Sequence, residues 1–145
     1  MKKILFFAFA LVASALVFTA CNSNDPQHPI KGVKFYCDMN RGETPVSEYF
    51  YFGLKDDFEW GWEIYEDQAR TKKISAQGDY GTYVLNEEQQ FIDLTFKGAF
   101  VEAQGQRTTS EQAAHKDGRW FYRMDGDTIF ITAENGYTQK FWKKK

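Results

Sequence analysis

Residues 58–64 read Phe-Glu-Trp-Gly-Trp-Glu-Ile, a strict alternation of large apolar side chains with charged or small ones. Successive side chains of a β-strand point to opposite faces, so this pattern buries one face and leaves the other wet. The remainder of residues 32–145 keeps to the same theme. Segments rich in aromatic and β-branched residues are separated by turn signals, and no helical stripe of comparable length competes with them. Eight strands can be laid out, at 33–38, 46–54, 58–66, 74–85, 91–97, 119–124, 127–133 and 137–143. The break after the first is marked by Asn40-Arg41-Gly42 and Pro45, and Lys55-Asp56-Asp57 and residues 86–90 form polar turns. Asp125-Gly126 and Asn135-Gly136 carry the dipeptides of tight hairpins. Gly61, Gly78 and Gly81 interrupt strands and mark bends or bulges. The expected fold is all-β, an antiparallel meander of about eight strands closing into a small barrel without exposed edges.

Residues 98–118 fit this scheme least well. Gly98, Gly105 and Gly118 frame a polar segment in which a short helix is expected from Ser110, a favourable N-cap followed by helix formers. The segment reads as a mobile rim loop, with Arg107, Glu111 and His115 as candidate contacts to a partner protein.

Aromatic residues make up 18% of the chain, enough to fill a small β core or to line a cavity. Trp60, Trp62, Tyr80, Tyr83, Trp120 and Tyr122 are the candidate ligand-contacting rings, and both readings stay open for them. Cys37 shares a strand face with Val33 and Phe35, which makes it a packed thiol. Elements of catalysis are sparse. The two histidines, His28 and His115, form no metal-ligand spacing, and Ser110 near His115 is too slight a basis for a triad. The paired carboxylates Asp56/Asp57, Glu59/Glu63 and Glu87/Glu88 fall in turns or on a polar strand face, where solvation explains them. Gly78–Gly81 lacks the lysine and helix of a phosphate loop. The expectation is a protein that is not an enzyme and holds no cofactor or metal.

The N-terminus has a different character. Lys2 and Lys3 precede an apolar run, Ile4–Phe18, of about 15 residues, which is short for a membrane span. Thr19 and Ala20 then lead to Cys21, the arrangement of a processed secretory signal. Phe18-Thr19-Ala20-Cys21 resembles the lipobox of bacterial lipoproteins. That resemblance implies a signal peptide over 1–20, fatty acyl chains such as palmitate on Cys21, a flexible tether over 21–31 and the barrel domain over 32–145. Acylation of Cys21 would leave Cys37 without a disulfide partner. Asn22 after the cysteine implies outer-membrane delivery, and the phenylalanine-rich signal and polar tether resemble small lipoproteins of the Bacteroidota, with the leaflet left open. Loss of Lys2 and Lys3 with the signal moves the formal charge from −2 to −4, which gives nucleic acid no reason to bind.

Over residues 32–143 the order of motifs resembles small lipocalin-like lipoproteins: Phe58-Glu59-Trp60, then Gly78-Asp79-Tyr80-Gly81-Thr82-Tyr83, then Asp127–Ile131 and a closing Tyr137–Phe141. The resemblance implies a barrel whose interior is either filled or holds a ligand. Two functions are therefore expected in the envelope. One is binding of a small apolar or glycan ligand, or another accessory role. The other is a protein-interaction module, an inhibitor or a subunit of an envelope complex, using residues 98–118. The oligomeric state stays open.

Overall fold

The computed structural model describes residues 28–144. The expected signal peptide, Cys21 and most of the tether lie outside them. Nine strands run in order: β1 Val33–Arg41, β2 Thr44–Phe52, β3 Asp57–Tyr65, β4 Lys73–Asn86, β5 Phe91–Ala103, β6 Gln106–Ser110, β7 Gly118–Asp125, β8 Thr128–Thr132 and β9 Thr138–Lys143.

Every pairing is antiparallel, and β1 to β5 each pair with the next strand. The first half of β5 (Phe91–Leu94) then pairs with β7, followed by β8 and β9, and β9 returns to β1 through Phe35↔Lys143 and Tyr36↔Trp142. The result is the expected small lipocalin-like barrel, eight strands closed on themselves. The ninth strand, β6, pairs only with the second half of β5, Ala99–Ala103.

The β7–β8 hairpin turns on Gly126 at φ +57°, which an Asp-Gly dipeptide adopts without Cβ strain. β1 runs three residues further than its sequence pattern indicates, and Pro45 lies in β2 opposite Asn40. β3 joins β2 only from Val46 onward, so the missing Pro45 N–H interrupts no ladder. Gly61 and Gly78 face each other across β3 and β4. A Cβ built on Gly61 would stand 2.3 Å from the Gln77 carbonyl oxygen, and one on Gly78 would stand 2.2 Å from that of Trp60. The two glycines thus permit the close backbone approach that curls the sheet. A register shift at Tyr80/Gly81 supplies the expected bulge.

Residues 98–118 form neither a helix nor a long loop. Residues 98–103 continue β5, the chain turns at Gln104-Gly105, and β6 follows; only 111–117 are irregular. The helix expected from Ser110 is absent because the backbone N–H groups of Ala114 and His115 are held by the Asp79 carboxylate, at 3.1 and 3.0 Å. Those donors are thereby lost to any helical turn.

One end of the barrel is closed. Ile30, in the stretch read as tether, is fully buried, and the Gly32 N–H donates to the Phe52 carbonyl. His28 Nδ1 accepts from the N–H groups of Ile30 and Lys31, both at 3.1 Å. Above this plug Phe35, Phe52, Phe58, Tyr83, Ile92 and Ile129 fill the interior. A ladder of rings rises through the core: Phe52 stacks on Phe50 (centroids 5.7 Å, interplanar angle 7°) and Phe50 on its cross-strand partner Trp60 (5.4 Å, 3°). Cys37 packs half-buried against the same core as a free thiol.

A smaller cluster lies on the outer face of β1 to β5, where Tyr49, Ala76 and Phe100 are buried under Tyr36, Tyr51 and Tyr80. Glu63 belongs to this layer. The sequence pattern assigns it to a solvated face, yet it is 5% exposed. Lys34 donates to it at 2.5 Å and the Tyr65 hydroxyl does so from the other side. The curl of the sheet folds aromatic side chains over a face that would otherwise be wet.

Candidate ligand-binding site

The end of the barrel opposite Ile30 holds a cavity of about 280 Å³. Its floor is Phe50, Ile131 and Phe141, and its walls are Trp60 from β3 and Trp120 from β7. Trp60 and Trp120 meet edge to face with centroids 5.0 Å apart. Asn135 and Tyr137 from the β8–β9 connection form the rim, with Tyr137 largely exposed.

Two ionisable groups enter this aromatic box. Glu48 lies on the inward face of β2 in register with Cys37, and it is 6% exposed. Its carboxylate accepts the Trp60 indole N–H at 2.7 Å through Oε1 and the Gln139 amide at 2.6 Å through Oε2. Both donors are neutral, and among the described residues no cationic nitrogen lies within 4 Å of this carboxylate.

The second group is His115, which the 111–117 segment lays over the mouth. Its ring sits 4.3 Å from Trp60 and 5.7 Å from Phe96, centroid to centroid. Asp79, the β4 residue directly opposite Trp60, is 2% exposed and lies 2.6 Å from His115 Nδ1. With two backbone N–H groups of the same segment also on Asp79, the carboxylate sets both the path of the chain and the ring orientation. The Nδ1 proton points at Asp79, and Nε2 is the imidazole's second polar atom.

The rings singled out from the sequence separate into three groups. Trp60 and Trp120 line the cavity. Tyr83 and Tyr122 belong to the filled core, Tyr83 donating its hydroxyl to the Gly53 carbonyl at 2.9 Å near the closed end. Burial pushes the Tyr83 hydroxyl up to about 12, with Asp56 adding to the effect. Trp62 stands beside Trp60 (5.9 Å, 40°) but lines a separate depression on the far side of His115, under the Arg41 guanidinium. Tyr80 is on the outer face, lining a groove of about 320 Å³ in which Arg107 is paired with Glu59 at 2.6 Å and Asp57 stands at the wall.

The expected contact loop is divided likewise. Arg107 covers the Phe100 ring on the outer face, Glu111 is exposed, and His115 is in the cavity mouth. Among the described residues no group of three His, Cys, Asp or Glu side chains is placed to hold a metal ion.

Glu48 and Asp79 were not singled out in the sequence. Each nevertheless breaks an inward-facing apolar series, Val46-x-Glu48-x-Phe50-x-Phe52 in one case and Asp79-x-Gly81-x-Tyr83 in the other. A carboxylate on the core side of a strand needs partners, and that was the legible signal.

No protein-family model matches the sequence, and no curated protein is significantly similar to it. The site must therefore be read from its own chemistry.

Proposed function

We propose that this protein is a lipid-anchored lipoprotein of a bacterial envelope, at the outer membrane, whose barrel binds a small organic ligand at its open end without catalysis. The observation that carries the reading is the aromatic cavity of about 280 Å³ with the buried Glu48 carboxylate in its wall. Concave, mostly apolar pockets with a few convergent polar groups are the usual form of small-ligand sites.

The barrel below the cavity is filled by Phe35, Phe52 and Phe58, so an extended acyl chain has no channel to enter. Compact apolar molecules and short glycans fit this geometry, since a sugar ring can lie on Trp120 while its hydroxyls reach Glu48, Gln139 and Asn135. A binding rather than a catalytic role is favoured because both Glu48 oxygens are already engaged by Trp60 and Gln139.

The anchor rests on Phe18-Thr19-Ala20-Cys21. Six residues lie between Cys21 and His28, a reach of at most about 25 Å. Since His28 sits at the closed end, such a leash directs the cavity away from the lipid surface. Titrating the full chain in a polyoxyethylene detergent with envelope glycans and small aromatic compounds, while following tryptophan fluorescence, tests the pocket. A saturable change lost in Trp120→Ala supports it, and no change with any compound removes it. Metabolic labelling with a palmitate analogue tests the anchor, with incorporation expected in the native chain and none in Cys21→Ala.

A second reading, a protein-interaction module in residues 98–118, is favoured by one observation. All five residues of β6 are exposed, and among the described residues β6 pairs along one edge only. A free edge accepts another strand. Thr109→Pro, which removes an N–H of the free edge and not one of the β5–β6 ladder, should abolish capture of a partner bound in this way while leaving the barrel closed.

A further inference from the structure

We infer that the cavity is built for an organic cation, a ligand carrying an ammonium group on a compact body. The inference rests on the pocket reading above and narrows its ligand class. A carboxylate withdrawn from water is ordinarily matched by a positive charge or neutralised. Glu48 is 94% buried, yet its two hydrogen bonds come from an indole and an amide, which carry no net charge.

The surroundings supply no compensation. The remaining lining residues are aromatic, aliphatic or amide side chains, apart from His115. A protonated His115 would be answered by Asp79 at 2.6 Å, and a neutral one would leave Asp79 as a further negative charge. Asp79 thus offsets any charge that His115 could offer Glu48. The Arg41 guanidinium lies over the Trp62 ring, 5.7 Å from its centroid, and forms no ion pair with Glu48.

Immediately around Glu48 the hydrogen-bonding inventory has the same bias, while the Asn135 amide N–H groups and the Trp120 indole N–H remain as donors elsewhere in the lining. Trp60 Nε1–H and the Gln139 amide are committed to Glu48, which leaves the spare Glu48 lone pairs and the Gln139 carbonyl oxygen as acceptors. Acceptors facing a cavity select a donor-rich guest. Electron-rich rings of Trp120 and Tyr137 complete a box of the kind that attracts ammonium groups. An ammonium placed against Glu48 receives charge, hydrogen bonds and ring faces at once.

Two sources of such a group are separable, a simple amine on a hydrocarbon body and an amino sugar. The experiment uses the full chain in a polyoxyethylene detergent near pH 6.5, read by titration calorimetry and tryptophan fluorescence. Each cation is compared with a neutral counterpart of similar shape: 2-phenylethylammonium with 2-phenylethanol, and the glucosamine disaccharide with its N-acetylated form. The charged member of at least one pair should bind at least tenfold more tightly. Glu48→Gln, which keeps an oxygen for Trp60, should erase that preference and leave the neutral counterpart within about twofold. Gln139→Lys, which supplies an internal ammonium, should erase it as well and guards against a folding defect in the first variant. Equal or tighter binding of the neutral member, or a preference that survives both variants, overturns the inference while leaving the pocket reading intact. If none of the four compounds binds but an unrelated glycan does, the cation inference also falls and the pocket stands. If no compound of either panel binds, both fall.

Discussion

Asp79 holds His115 at two points, the backbone N–H at 3.0 Å and the ring Nδ1 at 2.6 Å, across 36 residues of chain. With the Ala114 N–H at 3.1 Å, one buried carboxylate secures the segment that borders the cavity. Hydrogen bonds to a buried charged acceptor are stronger than neutral ones, and their donors are left unsatisfied if the acceptor is removed. Asp79→Ala should therefore cost about 3 kcal/mol in urea unfolding and raise amide exchange across 111–117. His115→Ala keeps both backbone bonds and should cost about 1 kcal/mol, with exchange in that segment little changed.

The floor and the wall of the cavity should respond differently. Phe50 is 1% exposed and stacks between Phe52 and Trp60, so Phe50→Ala should lower stability by about 3 to 5 kcal/mol. Trp120 is only half-buried, and Trp120→Ala should cost less than half of that while removing ligand-induced fluorescence changes. Thermal melts of the two variants beside the ligand titration check this ordering. Equal destabilisation would show that Trp120 is a core residue.

Where β3 and β4 cross at Gly61 and Gly78, a methyl group has no room, because the atoms it would strike are main-chain carbonyls. Gly61→Ala or Gly78→Ala should destabilise by about 2 kcal/mol or more, although alanine is ordinarily the better strand residue. Calorimetric unfolding measures the loss. An unchanged melting temperature in both variants would show that the sheet can flatten without penalty.

Alkaline pH should unfold the domain through its tyrosines. Burial, reinforced by Glu63 and Asp38, pushes Tyr36 up to about 12, and burial with Asp56 does the same for Tyr83. Tyr49 and Tyr65 are raised beyond that range, mainly by burial and then by their neighbouring glutamates. A raised folded-state value means that the native state holds its phenolic proton more firmly than the unfolded chain does. The stability linked to these protons is complete below about pH 10 and is lost as pH climbs toward 12. Phenolate absorbance and circular dichroism should change together in that window. Phenolate signal from all eight tyrosines near pH 10 with the fold intact would contradict it.

The barrel was legible because alternation is a local signal: Phe58 to Ile64 states its own faces, and Asp125-Gly126 states its own turn. Strand ends and the 98–118 region were not, because distant partners decide them. The backbone of Ala114 and His115 was taken by Asp79 on another strand, and no local propensity reports such a competitor. Trp60 and Tyr83 look equivalent in sequence as inward aromatics. Only the barrel's two unlike ends, one plugged by Ile30 and one open, put the first in the wall of a cavity and the second in the core. Glu48 was readable as an anomaly in an apolar series but was overlooked among the rings of β2.

β5 serves two neighbours along one edge, β7 over Phe91–Leu94 and β6 over Ala99–Ala103. Residues 111–117 are the detour between them, and they carry His115 to the mouth while contributing nothing to barrel closure. The cover of the cavity thus lies outside the strands, whereas its walls, Glu48, Trp60 and Trp120 among them, belong to the barrel itself. Substitutions within 111–117 can reshape the mouth of the vessel while its eight strands stay as they are, provided the backbone bonds to Asp79 and the bond from the Phe96 N–H to Asp117 are kept.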